Sequence, residues 1–232
     1  MRSAVMVATR NLYPDLAPPI KALLVNSDVE RIWLLLEDDD PGFPLPPECR
    51  VMNVSGWAAY WKNTPNARSG WTWMVLMRSL FHRILPDDRV LSIDLDAFAL
   101  KDVSSLWRLD MRDRLAAAVR ETTPLDSPDF PYFNMGVAML NLALLRSTGK
   151  GEEVVRALKN RYLQYPEQHA YNFACSGAVL WLPREWNAGI GTEPYGKPII
   201  RHFMAESRTY RQSEIYRRFA AMPWEEVRPW RS

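Results

Sequence analysis

The chain has 232 residues, 47% hydrophobic and 24% charged, a composition that excludes a disordered protein and supplies apolar surface for a sizeable core. Its 29 Lys plus Arg nearly offset 27 Asp plus Glu, giving a formal net charge of +2, so no long-range field for gathering polyanions is implied and nucleic acid is not an expected partner. Cys49 and Cys175 show neither a disulfide framework nor a metal-ligand spacing, and the apolar run near Met1 is too short for a signal peptide, so a cytoplasmic location is expected.

Ala4 to Ala8 is an apolar run ending at Thr9-Arg10-Asn11, the pattern of a buried first strand with a polar turn beyond its carboxyl end. Leu16, Ile20, Leu23 and Leu24 follow at helical spacing, with Pro14 in a first turn and Asn26-Ser27-Asp28 as a stop. Ile32 to Leu36 reads as a second buried strand, and strand, helix, strand in so short a compass predicts a parallel sheet. The acid- and proline-rich stretch from Glu37 to Pro47 is a loop before a weak third strand at Arg50 to Val54. Trp73, Leu76, Met77, Leu80 and Ile84 share one face, predicting a single helix from Trp71 to Leu85 stopped by Pro86.

Arg89 to Asp96 is an apolar strand that ends in two acids. Leu115 to Val119 and Gly136 to Leu140 are further strands, Val154, Val155, Leu158 and Tyr162 mark a helix, and Gln168 to Cys175 a shorter one. Ala178 to Leu182 and Ile199 to Phe203 are late strands. Trp33, Trp73, Trp107 and Trp181 sit in apolar segments and are read as core. This alternation predicts an α/β protein with a Rossmann-like, mostly parallel central sheet flanked by helices. The tail from Met222 to Ser232 is expected to pack back on the domain, with weak contact to a membrane surface as the alternative.

Side chains two apart on an extended strand project to the same side, so Asp94 and Asp96 are expected to reach one point at the strand's carboxyl end, where open α/β sheets place ligands. Hard oxygen ligands suit Mn²⁺ or Mg²⁺, and such an ion binds a diphosphate and offsets charge on a departing nucleotide. An Asp-X-Asp triplet alone is a weak signal. A metal-dependent nucleotidyltransferase would use the same parts, but it would cradle a triphosphate with a glycine-rich loop after the first strand, and glycine is absent there.

Arg78, then Pro86 and Val90-Leu91-Ser92-Ile93-Asp94-Leu95-Asp96, form an ordered series with Lys101 to Trp107 and with Tyr132-Phe133-Asn134-Met135-Gly136-Val137. Glu167-Gln168-His169-Ala170-Tyr171-Asn172, Leu182-Pro183 to Trp186-Asn187, and Ile199 to Tyr210 complete it. From Val7 to Tyr210 the series resembles glycosyltransferase family 8, with its metal-binding acids, Phe-Asn-X-Gly-Val strand, Asp-Gln-Asp-X-X-Asn motif, Leu-Pro-X-X-Trp-Asn turn and terminal histidine segment.

The resemblance implies a single GT-A domain over residues 1–232, with 211–232 as a helical tail extension. It implies a retaining enzyme that moves a hexose or related sugar from a UDP-sugar, with Mn²⁺ or Mg²⁺, to a carbohydrate or other hydroxyl-bearing acceptor. Asp94, Asp96 and His202 match the metal ligands. Gln168, Glu167 and Asn134 match the catalytic region. Ala8, Thr9, Asn11, Tyr13, Arg78, Asp94, Leu95, Asp96 and Arg208 fall on the donor side, and His169 on the acceptor side. Tyr13 is expected to stack on a base whose edge meets the backbone of Ala8 and Thr9, and Gly136 to let backbone approach a ligand. Glu167 and His169 replace the two Asp of the family motif, and Met204-Ala205 replaces a small residue and glycine. These departures leave open a catalytically silent module that binds a nucleotide sugar or glycan.

Overall fold

The structure, a computed structural model, describes residues 1–121, 126–189, 197–204 and 209–227. Its strands are β1 (Ser3–Val7), β2 (Arg31–Leu36), β3 (Cys49–Asn53), β4 (Arg89–Ile93), β5 (Ala97–Ala99), β6 (Ala116–Arg120), β7 (Phe133–Asn141), β8 (Val179–Leu182) and β9 (Ile200–His202). The helices are α1 (Ala17–Val25), α2 (Ala58–Trp61), α3 (Trp73–Met77), α4 (Phe81–Ile84), α5 (Leu142–Ser147), α6 (Lys150–Asn160), α7 (Pro166–Cys175) and α8 (Glu214–Ala221).

Seven strands form one sheet in the order β3-β2-β1-β4-β7-β6-β8, and β5 pairs with β9 in a second. The large sheet is mostly parallel: β2 with β3, β1 with β2 and β4, and β6 with β8. β7 alone runs antiparallel to both its neighbours. Period-two alternation sends successive side chains to opposite faces. Ala4, Met6, Ile32, Leu34, Leu91, Ile93, Val137 and Met139 pack with α1, while Val5, Leu35, Val90, Ala138 and Leu140 pack with α3 to α7. The result is a sheet covered by helices on both faces, the layering expected when parallel strands read as continuous apolar runs.

The segment from Trp71 to Leu85 is not one helix. Arg78–Leu80 forms a 3₁₀ turn between α3 and α4. At that break the Ser79 hydroxyl donates to the Leu76 carbonyl at 2.7 Å, and the Arg78 side chain is buried; a serine bonding back to the preceding turn competes with regular helix bonds. Trp71 lies outside the helix, 44% exposed. Trp181 also departs from expectation: on the sheet-edge strand β8 it is 40% exposed, with the Arg120 guanidinium 6.0 Å from its ring. Tyr162 falls beyond the end of α6 and is exposed.

A third cluster, Ala22, Phe98, Phe203, Tyr210 and Phe219, ties β5, β9 and α8 to α1. Lys21 donates to the Met222 carbonyl at 2.6 Å and stands 4.7 Å from the Trp224 ring. The tail therefore packs against α1 up to Val227, and Trp230 lies outside the described residues. Asp15, fully buried, accepts from Arg211 Nε at 2.9 Å and from the Tyr216 hydroxyl at 3.0 Å, clasping the C-terminal segment to the turn after β1. Arg211→Ala strips that buried carboxylate of its cation and is expected to lower unfolding free energy by about 2 kcal/mol, read from urea denaturation against the parent.

Candidate active site and metal centre

β4 stops at Ile93, one residue before the first acid. Asp94 and Asp96 converge through a tight turn, not through strand periodicity: the Ala97 amide donates to the Asp94 carbonyl at 3.1 Å, and β5 begins immediately after. β9 pairs with β5 so that His202 stands opposite Ala97. His202 Nε2 lies 3.3 Å from Asp96 Oδ1 and 3.5 Å from Asp94 Oδ2, and the three groups offer ligand atoms all within 4.8 Å of one another.

The tautomer of His202 follows from its other nitrogen. Asn187 Nδ2 donates to Asn134 Oδ1 at 3.0 Å, which leaves Asn187 Oδ1 to accept from His202 Nδ1 at 2.8 Å. Nε2 is thereby turned toward the two carboxylates, where it either donates a proton to Asp96 or, with that proton displaced, offers its lone pair to a cation held among them. Two hard oxygens and one oriented imidazole nitrogen fit Mn²⁺ or Mg²⁺. Gly136 supplies the space: a Cβ there would fall 2.0 Å from His202 Cε1. The glycine thus admits the imidazole ring, where the sequence suggested room for a ligand.

Arg78, buried beneath the turn, forms an ion pair with Asp94, donates from Nη1 to the Met135 carbonyl at 3.1 Å, and lies 3.9 Å from Glu167. Burial pulls this guanidinium below its ordinary value, opposed by Glu167 and Asp96. Burial likewise raises the Glu167 carboxyl, with Arg78 acting against it. For Asp96 burial raises, but His202 and Arg78 outweigh it and hold the carboxyl below the ordinary carboxylate range. One buried cation facing three carboxylates leaves charge that a divalent ion would balance.

Two amides four residues apart on α7 secure the start of β7. Asn172 accepts from the Phe133 amide at 2.8 Å and donates to its carbonyl at 2.9 Å, and Gln168 Oε1 accepts from the Met135 amide at 2.9 Å. Asn134 Nδ2 donates to Glu121 at 2.8 Å, and its Oδ1 accepts from the Gly136 amide at 2.8 Å. Gln168 and Asn134 therefore line the cleft with amides that also hold its wall.

A cavity of about 560 Å³ opens over these groups, its lining including Val7, Thr9, Leu12, Trp71, Tyr165 and Gln168. Asp94, Leu95, Asp96, Asn134, Gly136, Glu167 and His202 share that lining. Ala8, Asn11 and Tyr13 do not. The Ala8 amide donates to the Leu35 carbonyl at 3.1 Å, so sheet pairing consumes one of the backbone groups expected to meet a base. Tyr13 is buried, and its hydroxyl accepts from the amides of Glu37 at 2.8 Å and Asp38 at 3.0 Å; its ring is core, not a stacking platform. Asn11 Oδ1 accepts from the Thr9 hydroxyl at 2.6 Å.

His169 lies outside the lining, one turn along α7 from Tyr165, and burial holds it below the ordinary histidine range. Arg208 lies outside the described residues. Sequence reading missed Trp71, Glu121 and Tyr165 in the lining, which also includes Met204. Glu121 had a usable signal, since it follows β6 as Asp94 follows β4.

The geometry has counterparts in known proteins. The chain is 34% identical over 113 residues to lipopolysaccharide 1,2-glucosyltransferase of Escherichia coli (strain K12), covering 43% of this chain and 33% of that relative. It spans about a third of the length of the curated relatives it matches. The glycosyltransferase GlyE in Streptococcus pneumoniae TIGR4 superposes with a TM-score of 0.74 at 18% identity, over 97% of this chain and 62% of that one. The galactosyltransferase LgtC, solved in complex with donor and acceptor sugar analogs, superposes with a TM-score of 0.64 at 15% identity, over 96% of this chain and 98% of that one. The fold is accordingly that of GT-A glycosyltransferases. A family model described as "Glycosyl transferase family 8" matches residues 45–218, more than half of the sequence, and the chain belongs to that family.

Proposed function

We propose that the protein is a retaining glycosyltransferase that moves a hexose from a UDP-sugar to a hydroxyl-bearing acceptor, with Mn²⁺ or Mg²⁺ held by Asp94, Asp96 and His202. The observation that carries this reading is the convergence of those three side chains, from segments about a hundred residues apart, at the floor of one cleft. A divalent ion there would bind the donor diphosphate and offset charge on the departing UDP. On this reading Val7, Thr9 and Leu12 would border the nucleoside and Trp71 and Tyr165 the acceptor, since all five line the cleft.

The mechanism needs no carboxylate nucleophile. Glu167 is occupied by Arg78, and Gln168 cannot ionise, so the acceptor hydroxyl attacks the anomeric carbon from the face UDP vacates and its proton passes to the departing phosphate oxygen. Gln168 Oε1 retains a lone pair beyond its bond to the Met135 amide, and the electron-rich amide supports the cationic sugar as the glycosidic bond breaks. A second reading, a silent binding module, draws support from the amides of Asn134 and Gln168 being engaged by protein groups. Release of UDP from UDP-sugars in the presence of Mn²⁺ separates the two: turnover supports the transferase, binding without turnover the module.

Asp94→Asn and Asp96→Asn each remove an anionic ligand and are expected to abolish Mn²⁺-dependent UDP binding in calorimetry while leaving the melting profile of the apo fold close to the parent. Gln168→Ala is expected to lower kcat by about a hundredfold with little change in donor KM, because its electrostatic contribution arises in the transition state. A rise in KM at constant kcat would make it a binding group. Gly136→Ala drives a methyl into the imidazole, so it should weaken Mn²⁺ binding as His202→Ala does, and the double variant should be no worse than either. Additive losses in the calorimetric titration would show that Gly136 serves something other than His202.

A further inference from the structure

His169 and Phe173 lie four positions apart on one face of α7, and Tyr165, the residue just before the helix, continues the same spacing. Trp71 stands 6.0 Å from Tyr165, Tyr165 stacks on His169 at 5.7 Å, His169 meets Phe173 at 6.1 Å, and Phe173 meets Phe130 at 5.6 Å, measured between ring centroids. The row starts inside the cleft, where Trp71 and Tyr165 belong to the lining, and runs about 12 Å along the helix axis to Phe173. Its two ends are open to water, Trp71 at 44% and Phe173 at 47% exposure.

The rings are fixed in place. Trp71 Nε1 donates to the Gln164 carbonyl at 3.0 Å, and His169 Nδ1 is bound to the Tyr132 hydroxyl and the Tyr165 carbonyl, each at 3.0 Å. A row of large rings, Trp71 and Phe173 exposed and Tyr165, His169 and Phe130 half-buried, presents apolar surface to water without closing it into the core, which marks an interaction surface. The row contains no formal charge apart from a histidine whose burial disfavours protonation. Its rings pair apolar faces with hydroxyl and imidazole tips, chemistry suited to the apolar faces and hydroxyl edges of pyranose rings.

Resting on the transferase reading, we propose that this row is an extended acceptor subsite: an oligosaccharide lies along α7, its terminal sugar entering the cleft at Trp71 and Tyr165 and its preceding sugars packing on His169, Phe173 and Phe130. The continuity of the row with the cleft favours this occupant, because a chain whose end sugar lies between Trp71 and Tyr165 meets His169 and Phe173 next along the same face. The acceptor class is thus an oligosaccharide, recognised beyond its reacting sugar, and not a free monosaccharide.

The test uses core oligosaccharide released from lipopolysaccharide by mild acid, with free glucose as the comparison, titrated calorimetrically into protein with Mn²⁺ and UDP and into protein without them. The parent should bind the oligosaccharide more tightly than glucose. Phe173→Ala should weaken that binding about tenfold, Phe173→Trp should restore it, and UDP affinity should stay unchanged in both. Equal affinity in Phe173→Ala and parent, or no preference of the parent for oligosaccharide over glucose, overturns the proposal. So does a concentration-dependent dimer in sedimentation that Phe173→Ala dissolves, which would make the row a contact between copies. Failure of the parent to bind UDP with Mn²⁺ would sink the transferase reading, while the titrations without nucleotide would still decide the row.

Discussion

The reversal of one strand governs this structure. β7 enters the sheet antiparallel to β4, with Val137 opposite Ile93, so the beginning of β7 meets the end of β4. The Asp94 amide donates to the Gly136 carbonyl at 2.8 Å across that junction. A parallel β7 would have carried Asn134 to Gly136 to the far end of the sheet. The carboxyl ends of β1 and β4, the start of β7 and α7 instead border one cleft.

Volume and charge then fix the contents of the junction. Omitting a Cβ at Gly136 leaves the space that the His202 ring fills, and the chain of amides from Glu121 through Asn134 and Asn187 presents the imidazole with Nε2 toward the acids. Beneath them Arg78, on the 3₁₀ turn between α3 and α4, offsets part of the negative charge.

The C-terminal segment contributes at a distance. β9 brings His202 to the two acids by pairing with β5 and bridging to Ala188, and β5 begins where the chain turns sharply after Asp94. Phe98, Phe203 and Phe219 pack that small sheet against α8, with Phe98 and Phe219 stacked at 6.3 Å. The clasp at Asp15 joins the same segment to the turn after β1, so both ends of the chain support the histidine and the cleft-lining Tyr210.

Apolar runs and their period were sufficient to read the parallel half of the sheet, α1, and the strand leading to Asp94, because burial on both faces leaves a continuous hydrophobic signal. Motif order marked Asp94, Asp96 and His202, because the residue types and their sequence of occurrence are visible before any packing is known. Partners were not legible. Tyr13 and Ala8 carry groups able to meet a base, and only packing showed one ring buried and the amide spent on Leu35. Gly136 read as space for a ligand, and the fold assigned that space to His202. Composition marks what a side chain can do, while the volume and hydrogen bonds around it, set by residues distant in sequence, decide which of those capacities remains free.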